Sequence, residues 1–520
     1  MARKRTRRAK PSDRAVLPAA LLDPHCYGRG VKKVQLVETH VSWVFLTGRH
    51  AYKVKKPVKL PFVDFSTLQL RHRYCREELR INRRLAPDLY LAVVPIGGSR
   101  SAPRIGRTPA FDYAVKMREF PAAARLDRKL ATNRIPRAAV AEFGAQLAKF
   151  HAGLRPIRGI AAAAIGKAAL RNVDELGTYV GRDQRRQLAS LRAWIDRRFA
   201  RLASLFAQRV AEGAHRECHG DLHLQNLLWR DGAIMAFDAL EFDRSLRDID
   251  VLSEAAFVAM DLRAHGRTDL AYEFLNRYLE LMGDYRGVDV LPFYLVHRAL
   301  IRAKVAAIKR AQGGSSGSDG HDVERYLATA LELTRAERPV LVITHGLSGS
   351  GKTSVTDELV SRLPALRARS DLERKRLHGL EASARTRSEL GAGLYAAAGT
   401  RRTYGLLADI ADRLLRNGQT ALIDAAFLLR SERLDFRQVA AANAVRFVIL
   451  DCRASPSELR RRVAARDRAG RDASEATLGV LEHQLRTHEP LDEAERRAAV
   501  TVDTSRPIDY VKLAARLRGA

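Results

Sequence analysis

Cysteine is sparse in this 520-residue chain. Cys26, Cys75, Cys218 and Cys452 stand far apart with no Cys-x-x-Cys pair, which excludes a disulfide framework and suits the reduced thiols of a cytosolic protein. Long apolar runs are missing too: no stretch approaches the roughly 18 apolar residues that cross a bilayer. Residues 3–10 are basic like the start of a secretory leader, but Pro11, Asp13, Pro18 and Asp23 interrupt the adjoining stretch, so no leader-type apolar segment forms. Acidic residues are the minority, 59 against 91 lysines and arginines, for a net charge of +32. Such an excess can draw nucleic acid or an anionic surface. Most of it, however, is arginine scattered through alanine-rich helical stretches, and only residues 3–10 form a dense run. The expectation is a cytoplasmic protein with no membrane partner, for which nucleic acid is the less favoured partner.

The length exceeds what a single core organises, so two or three domains are expected. Residues 1–30 read as a basic, loosely ordered segment. Short apolar runs at 34–37, 41–46, 51–55, 91–94 and 111–117 read as strands, with a hairpin turn at 47–50 and a helix over 67–85. Helical patterns then fill 138–210 and 250–312, and a glycine-serine stretch at 313–320 marks a flexible loop before one more helix at 321–336. From Pro339 onward, apolar runs at 340–343, 421–423, 445–450 and 499–502 alternate with helical segments, the signature of a parallel sheet covered on both faces.

Two phosphate-handling motifs sit in this frame. The first, His219-Gly220-Asp221 through Asn226, has the His-x-Asp-x4-Asn spacing of a kinase catalytic loop. Phosphoryl transfer to a hydroxyl needs a carboxylate to take the proton and an amide oxygen nearby to hold a metal ion; Asp221 and Asn226 supply both. Asp238, after the apolar run 234–237, offers a second metal carboxylate. Upstream, Lys55 can reach the phosphates and Glu78 can hold it by an ion pair; Lys53 shares its face, so the two lysines stay alternatives. Cys218, His219 and His223 lack a fourth ligand at a usual spacing, so a zinc cluster is not expected.

With its His-Gly-Asp-x-His-x-x-Asn loop and downstream Phe-Asp, the stretch from about 30 to 335 resembles the aminoglycoside phosphotransferase and choline kinase branch of the protein-kinase superfamily. The resemblance implies a kinase acting on hydroxyls of small molecules with ATP and Mg²⁺. It casts Asp221 as base, Asn226 and Asp238 as metal ligands and Lys55 as phosphate lysine. As in that family, no glycine-rich loop is present, whereas Asp238-Ala239-Leu240 departs from the protein-kinase pattern by lacking a glycine after the aspartate. Residues 238–290 hold twelve acidic and six basic side chains, and in this family they would line an acceptor pocket suited to a cationic or polyhydroxyl molecule.

The second motif, Gly346-x4-Gly351-Lys352-Thr353, comes after an apolar strand and opens a helix, the setting of a P-loop. Gly346, Ser348, Gly349, Ser350 and Gly351 would turn backbone N–H groups onto phosphates, Lys352 would bridge the β- and γ-phosphates, and Thr353 would bind Mg²⁺. Asp371, at what reads as the end of the second strand, is the candidate base. Asp424 stands at the Walker B position, and Arg466 belongs to an arginine cluster of lid type that includes Arg461, Arg462, Arg468 and Arg471, ahead of a helix start at 472–475. Residues 338–520 resemble the compact AAA-type P-loop kinases that include polynucleotide 5′-hydroxyl kinases, gluconate kinase and zeta-type toxins.

The expected architecture is an α+β bilobal protein-kinase-like domain at 31–336, with a small lobe to about 120 and a large lobe beyond. After it comes an α/β P-loop NTPase domain with a parallel sheet at 338–520. The expected function is a bifunctional ATP-dependent phosphotransferase with a small hydroxylated acceptor. The alternatives are a P-loop domain acting as polynucleotide 5′-hydroxyl kinase or regulatory ATPase, beside a kinase-like domain that only binds.

Overall fold

The computed structural model describes residues 13–60, 63–132, 134–312, 319–335, 338–381, 397–469 and 477–519. The basic run at 3–10, most of the glycine-serine stretch, Arg471 and the expected helix start at 472–475 lie outside these residues. The chain forms two compact units: residues 1–135 with 216–249, and residues 136–215 with 250–520.

The first unit is built on an antiparallel sheet. Its strands are β1 (Gln35–Glu38), β2 (Ser42–Leu46), β3 (His50–Lys55), β4 (Tyr90–Gly98), β5 (Pro103–Ile105) and β6 (Ala110–Arg118). They lie in the order β1-β2-β3-β6-β4-β5. Helix α1 (Leu68–Asn82) begins at Thr67, whose hydroxyl accepts from the Leu70 amide, the N-cap contact that fixes its start. Strand alternation sends Tyr52 and Val54 into a core with Trp43, Phe45, Leu17 and Leu21. The other face carries Ala51 towards Cys75 of α1, and with it Lys53 and Lys55. A hairpin, β7 (Leu227–Arg230) with β8 (Ala233–Ala236), succeeds the first motif and aims the chain at Asp238.

In the second unit, helices α2 (Arg137–Gly153), α3 (Ala163–Gly177), α4 (Arg182–Ala211), α5 (Val251–Ala264), α6 (Thr268–Met282), α7 (Leu291–Ala311) and α8 (Asp319–Leu333) precede a five-stranded parallel sheet. The strands are β9 (Val340–His345), β10 (Ala365–Arg369), β11 (Thr420–Asp424), β12 (Arg446–Arg453) and β13 (Ala499–Asp503), in the order β10-β11-β9-β12-β13. Every residue of β9 is buried, as a central strand covered on both faces requires. Helix α9 (Lys352–Arg362) opens directly from the P-loop, and α10 (Ser370–Leu377) from the end of β10. The sequence places Asp371 at the close of the strand; β10 instead ends at Arg369, and Asp371 sits two residues later in the first turn of a helix. No helix among the described residues is long and apolar enough to cross a membrane.

Candidate functional site

The first site is assembled on β3, α1 and the chain from 219 to 241. Lys53 Nζ lies 2.9 Å from Glu78 Oε1 and 2.5 Å from Asp238 Oδ1. Lys55 Nζ lies 2.8 Å from the other Glu78 oxygen and also pairs with Glu241. Two lysines thus share one glutamate, but they differ in outlook. Lys55 has no exposed side-chain surface, whereas Lys53 keeps 13% and faces the Asp238 carboxylate, which is 42% exposed. Burial works against the charge on both lysines and on Glu78. The carboxylates reverse it for both lysines, which are raised above their ordinary range, and the two ammoniums hold Glu78 far below the ordinary carboxylate range.

Asp238 has φ +64°, a left-handed conformation uncommon for a non-glycine residue. Its amide donates to the Tyr90 hydroxyl at 3.0 Å, and the next amide, of Ala239, donates to the buried Asn82 side chain at 2.9 Å. Such a conformation persists where surrounding contacts over-determine it, which is common at functional sites.

The loop of the first motif is pinned to the same segment. His219 Nε2 is 2.8 Å from the Phe237 carbonyl oxygen and its Nδ1 accepts from the Asp221 amide at 3.3 Å, which fixes the ring as an Nε2–H donor. The Phe237 amide donates to the Asn226 carbonyl at 3.0 Å. Asn226 Nδ2 donates to Asp221 Oδ2 at 3.1 Å, a contact that leaves the amide oxygen out, and His223 Nε2 lies 3.3 Å from the same carboxylate oxygen. Gly220 has φ +90°, and a Cβ there would stand 2.8 Å from the Leu246 carbonyl oxygen. Asp221, Asn226, Asp238, Lys53, Lys55 and Glu78 are thereby joined by one continuous set of contacts. Glu241, Asn82 and Tyr90 were not singled out from sequence. Glu241, an acid three residues past Asp238, is the one of them that sequence spacing could have flagged.

The second site surrounds the P-loop. Gly346 has φ +145°, and a Cβ there would lie 2.5 Å from the Cys452 carbonyl oxygen; Gly349 and Gly351 also have positive φ. Lys352 Nζ donates to the Gly346 and Leu347 carbonyl oxygens at 2.7 and 2.9 Å, so the ammonium lies folded along the loop. Burial lowers its pKa, and Asp424 offsets only part of this. The Ser348 amide donates to Gln484, and Ser350 is buried beneath the loop. Lys352, Thr353, Asp371, Asp424 and Arg466 all line one cavity of about 710 Å³, joined there by Arg369, Arg374, Tyr404 and Glu432. Arg462, from the same helix as Arg466, donates to the Gly349 carbonyl at 3.3 Å and to Thr504.

The donor sets suit a hard divalent cation: Asn226 and Asp238 in one unit, Thr353 and Asp424 in the other, offer oxygen alone. The glycine cradle that no Cβ could enter suits a polyphosphate.

Many carboxylates of the acidic stretch 238–290 are engaged in ion pairs. Asp250 and Asp284 pair with Arg209, Glu273 with Arg137, Glu280 with Arg367, and Asp289 with Arg413. Asp238 and Glu241 pair with the two lysines. Much of the local acidity thus neutralises neighbouring cations.

Two family models match side by side: the phosphotransferase enzyme family over residues 62–291 and an AAA domain over residues 341–491. An uncharacterized protein of Mycobacterium tuberculosis strain H37Rv is 29% identical over 456 residues, 86% of this chain and 89% of the relative. Among solved structures, an amicoumacin kinase in complex with AMP-PNP is 13% identical, with 62% of this chain and 94% of that one covered at a TM-score of 0.39. The Mycobacterium tuberculosis APS kinase is 22% identical, with 35% and 96% covered at a TM-score of 0.26.

Proposed function

From a chain that joins a phosphotransferase-family domain to an AAA-type P-loop domain, we infer a bifunctional kinase that draws on ATP at two separate sites. In the first, Asp221 takes the proton of an acceptor hydroxyl as that oxygen bonds to the γ-phosphorus and ADP leaves. His223, 3.3 Å from the carboxylate, and Asn226 keep Asp221 oriented. Asn226 and Asp238 would hold Mg²⁺. Lys53, which faces Asp238, is a better phosphate lysine than Lys55, enclosed between Glu78 and Glu241.

In the second site, Asp371 is the base, Lys352 neutralises the transferring phosphate with Arg466 closing over it, and Thr353 and Asp424 would hold the metal. Bound Mg²⁺ supplies charge neutralisation on the phosphate oxygens at both sites. The observation that carries this reading is the single cavity into which a P-loop lysine, two carboxylates and a lid arginine open together. The acceptor class is a small hydroxylated molecule at both sites.

The test is an acceptor screen with γ-labelled ATP on three chains: wild type, Asp221→Asn and Lys352→Ala. Each variant should lose one set of labelled products and keep the other. Products unchanged in Asp221→Asn would remove the first kinase from the account. Labelling confined to nucleic-acid ends, falling steeply with salt, would make the second a polynucleotide kinase.

A further inference from the structure

The P-loop sheet ends in β10, a strand with no neighbouring strand on its outer side among the described residues. Edge groups of this kind need partners. Here they come from the helical segment before the P-loop domain, within the same compact unit. The Asn276 side chain, on α6, accepts from the Arg367 amide at 2.7 Å and donates to the Ala365 carbonyl at 2.8 Å. The Tyr285 hydroxyl donates to the Arg367 carbonyl at 2.7 Å. An asparagine and a tyrosine thus stand where a sixth strand would.

The Arg367 side chain continues inward from this seam. Its Nε and Nη2 donate to Glu280 Oε1 at 3.1 and 2.6 Å, and its Nη1 donates to the Thr356 hydroxyl at 2.9 Å and lies 2.6 Å from Asp357. With its oxygen accepting from Arg367, Thr356 has its one proton to share between the Thr353 carbonyl at 3.0 Å and Asp424 Oδ2 at 3.1 Å. Glu280, Arg367, Thr356 and Asp424 are all buried. Arg376, on the helix that carries Asp371, donates to the Glu280 carbonyl at 2.8 Å and fills the space beside Gly283, where a Cβ would lie 2.2 Å from its Nε. Burial pushes the Glu280 carboxyl up, and Arg367 and Arg369 more than reverse it, so it stays ionised and keeps its hold on the guanidinium.

We propose that Glu280 is a positioning residue of the P-loop site, aiming Arg367 at Thr356 and through it fixing the Asp424 carboxylate that receives the metal. Glu280 lies inside the span that matches the phosphotransferase family, so one domain completes the metal site of the other. The proposal rests on the P-loop kinase reading above.

The experiment uses the full chain with Asp238→Asn to silence metal-nucleotide binding at the first site, and follows a fluorescent ATP analogue during Mg²⁺ titration. Glu280→Gln should bind the metal-free analogue within about twofold of its parent. Its Mg²⁺ half-saturation should rise about 10–100-fold, as when the partner of a metal ligand is lost. The pair Glu280→Met with Arg367→Met leaves no stranded charge and keeps the packing. It should show the same rise, because Thr356 is no longer oriented. Parental half-saturation in Glu280→Gln, or its recovery in the pair, would overturn the proposal. Absence of any Lys352-dependent binding in the parent would instead remove the P-loop reading, and the proposal with it.

Discussion

Lys53 and Lys55 sit two positions apart on β3, so both ammoniums reach the single carboxylate of Glu78. Sequence periodicity places them on one face and stops there. What separates them, Asp238 against Lys53 and Glu241 against Lys55, arrives from nearly two hundred residues away. Lys53→Met is expected to lower kcat of the Asp221-dependent reaction by about 10²–10³-fold, the scale of losing one preorganised charge, with little change in urea stability. Lys55→Met strands the buried Glu241 carboxylate and leaves Glu78 with Lys53 alone, and should cost about 3–5 kcal/mol in the same denaturation experiment. An interchange of these two phenotypes would return the phosphate role to Lys55.

At the scale of elements, the strands β9, β11 and β12 could be read from sequence because a parallel strand with a neighbour on each side carries a continuous apolar run, and β13, at the sheet edge, was marked by the shorter apolar run 499–502. Helix α1 could be read from its Thr67 cap and charged outer face. The partners of β10 could not: Asn276, Glu280 and Tyr285 are polar residues in helical or turn sequence, and nothing local marks them as bound for a sheet edge. Asn276→Leu leaves the Arg367 amide and the Ala365 carbonyl buried without this partner, a loss of about 1–3 kcal/mol for each group in equilibrium unfolding. Glu280 gives this seam an acid limit. Its folded carboxyl is depressed, so its contribution is complete above the unfolded value of about 4.3 and is lost as pH falls through the folded value. Wild type should therefore lose stability more steeply than Glu280→Gln on acidification below about pH 4.3. Equal slopes for the two would mean that Arg367 does not hold the charge.

Over the whole molecule, the two motif-bearing loops were legible from their spacing, whereas the grouping of the helices was not. Residues 250–335 carry the pattern of a kinase large lobe, yet they belong to the same compact unit as the parallel sheet. The seam is polar and partly buried, with Arg137 on Glu273 and Glu358, Tyr272 on Gln419, and Asn417 on Asp289. Hydrogen exchange should accordingly report similar opening free energies for amides of α6 and β10, since segments that share buried contacts open as one unit. Much faster exchange in α6 would count against that union. The central claim is that one chain carries two independent nucleotide sites. Titration of the full chain with a non-hydrolysable ATP analogue and Mg²⁺ tests it most directly. Two bound per chain are expected, one in Asp238→Asn, one in Lys352→Ala and none in the double variant; a single site in the wild type, or binding that survives the double variant, would contradict the claim.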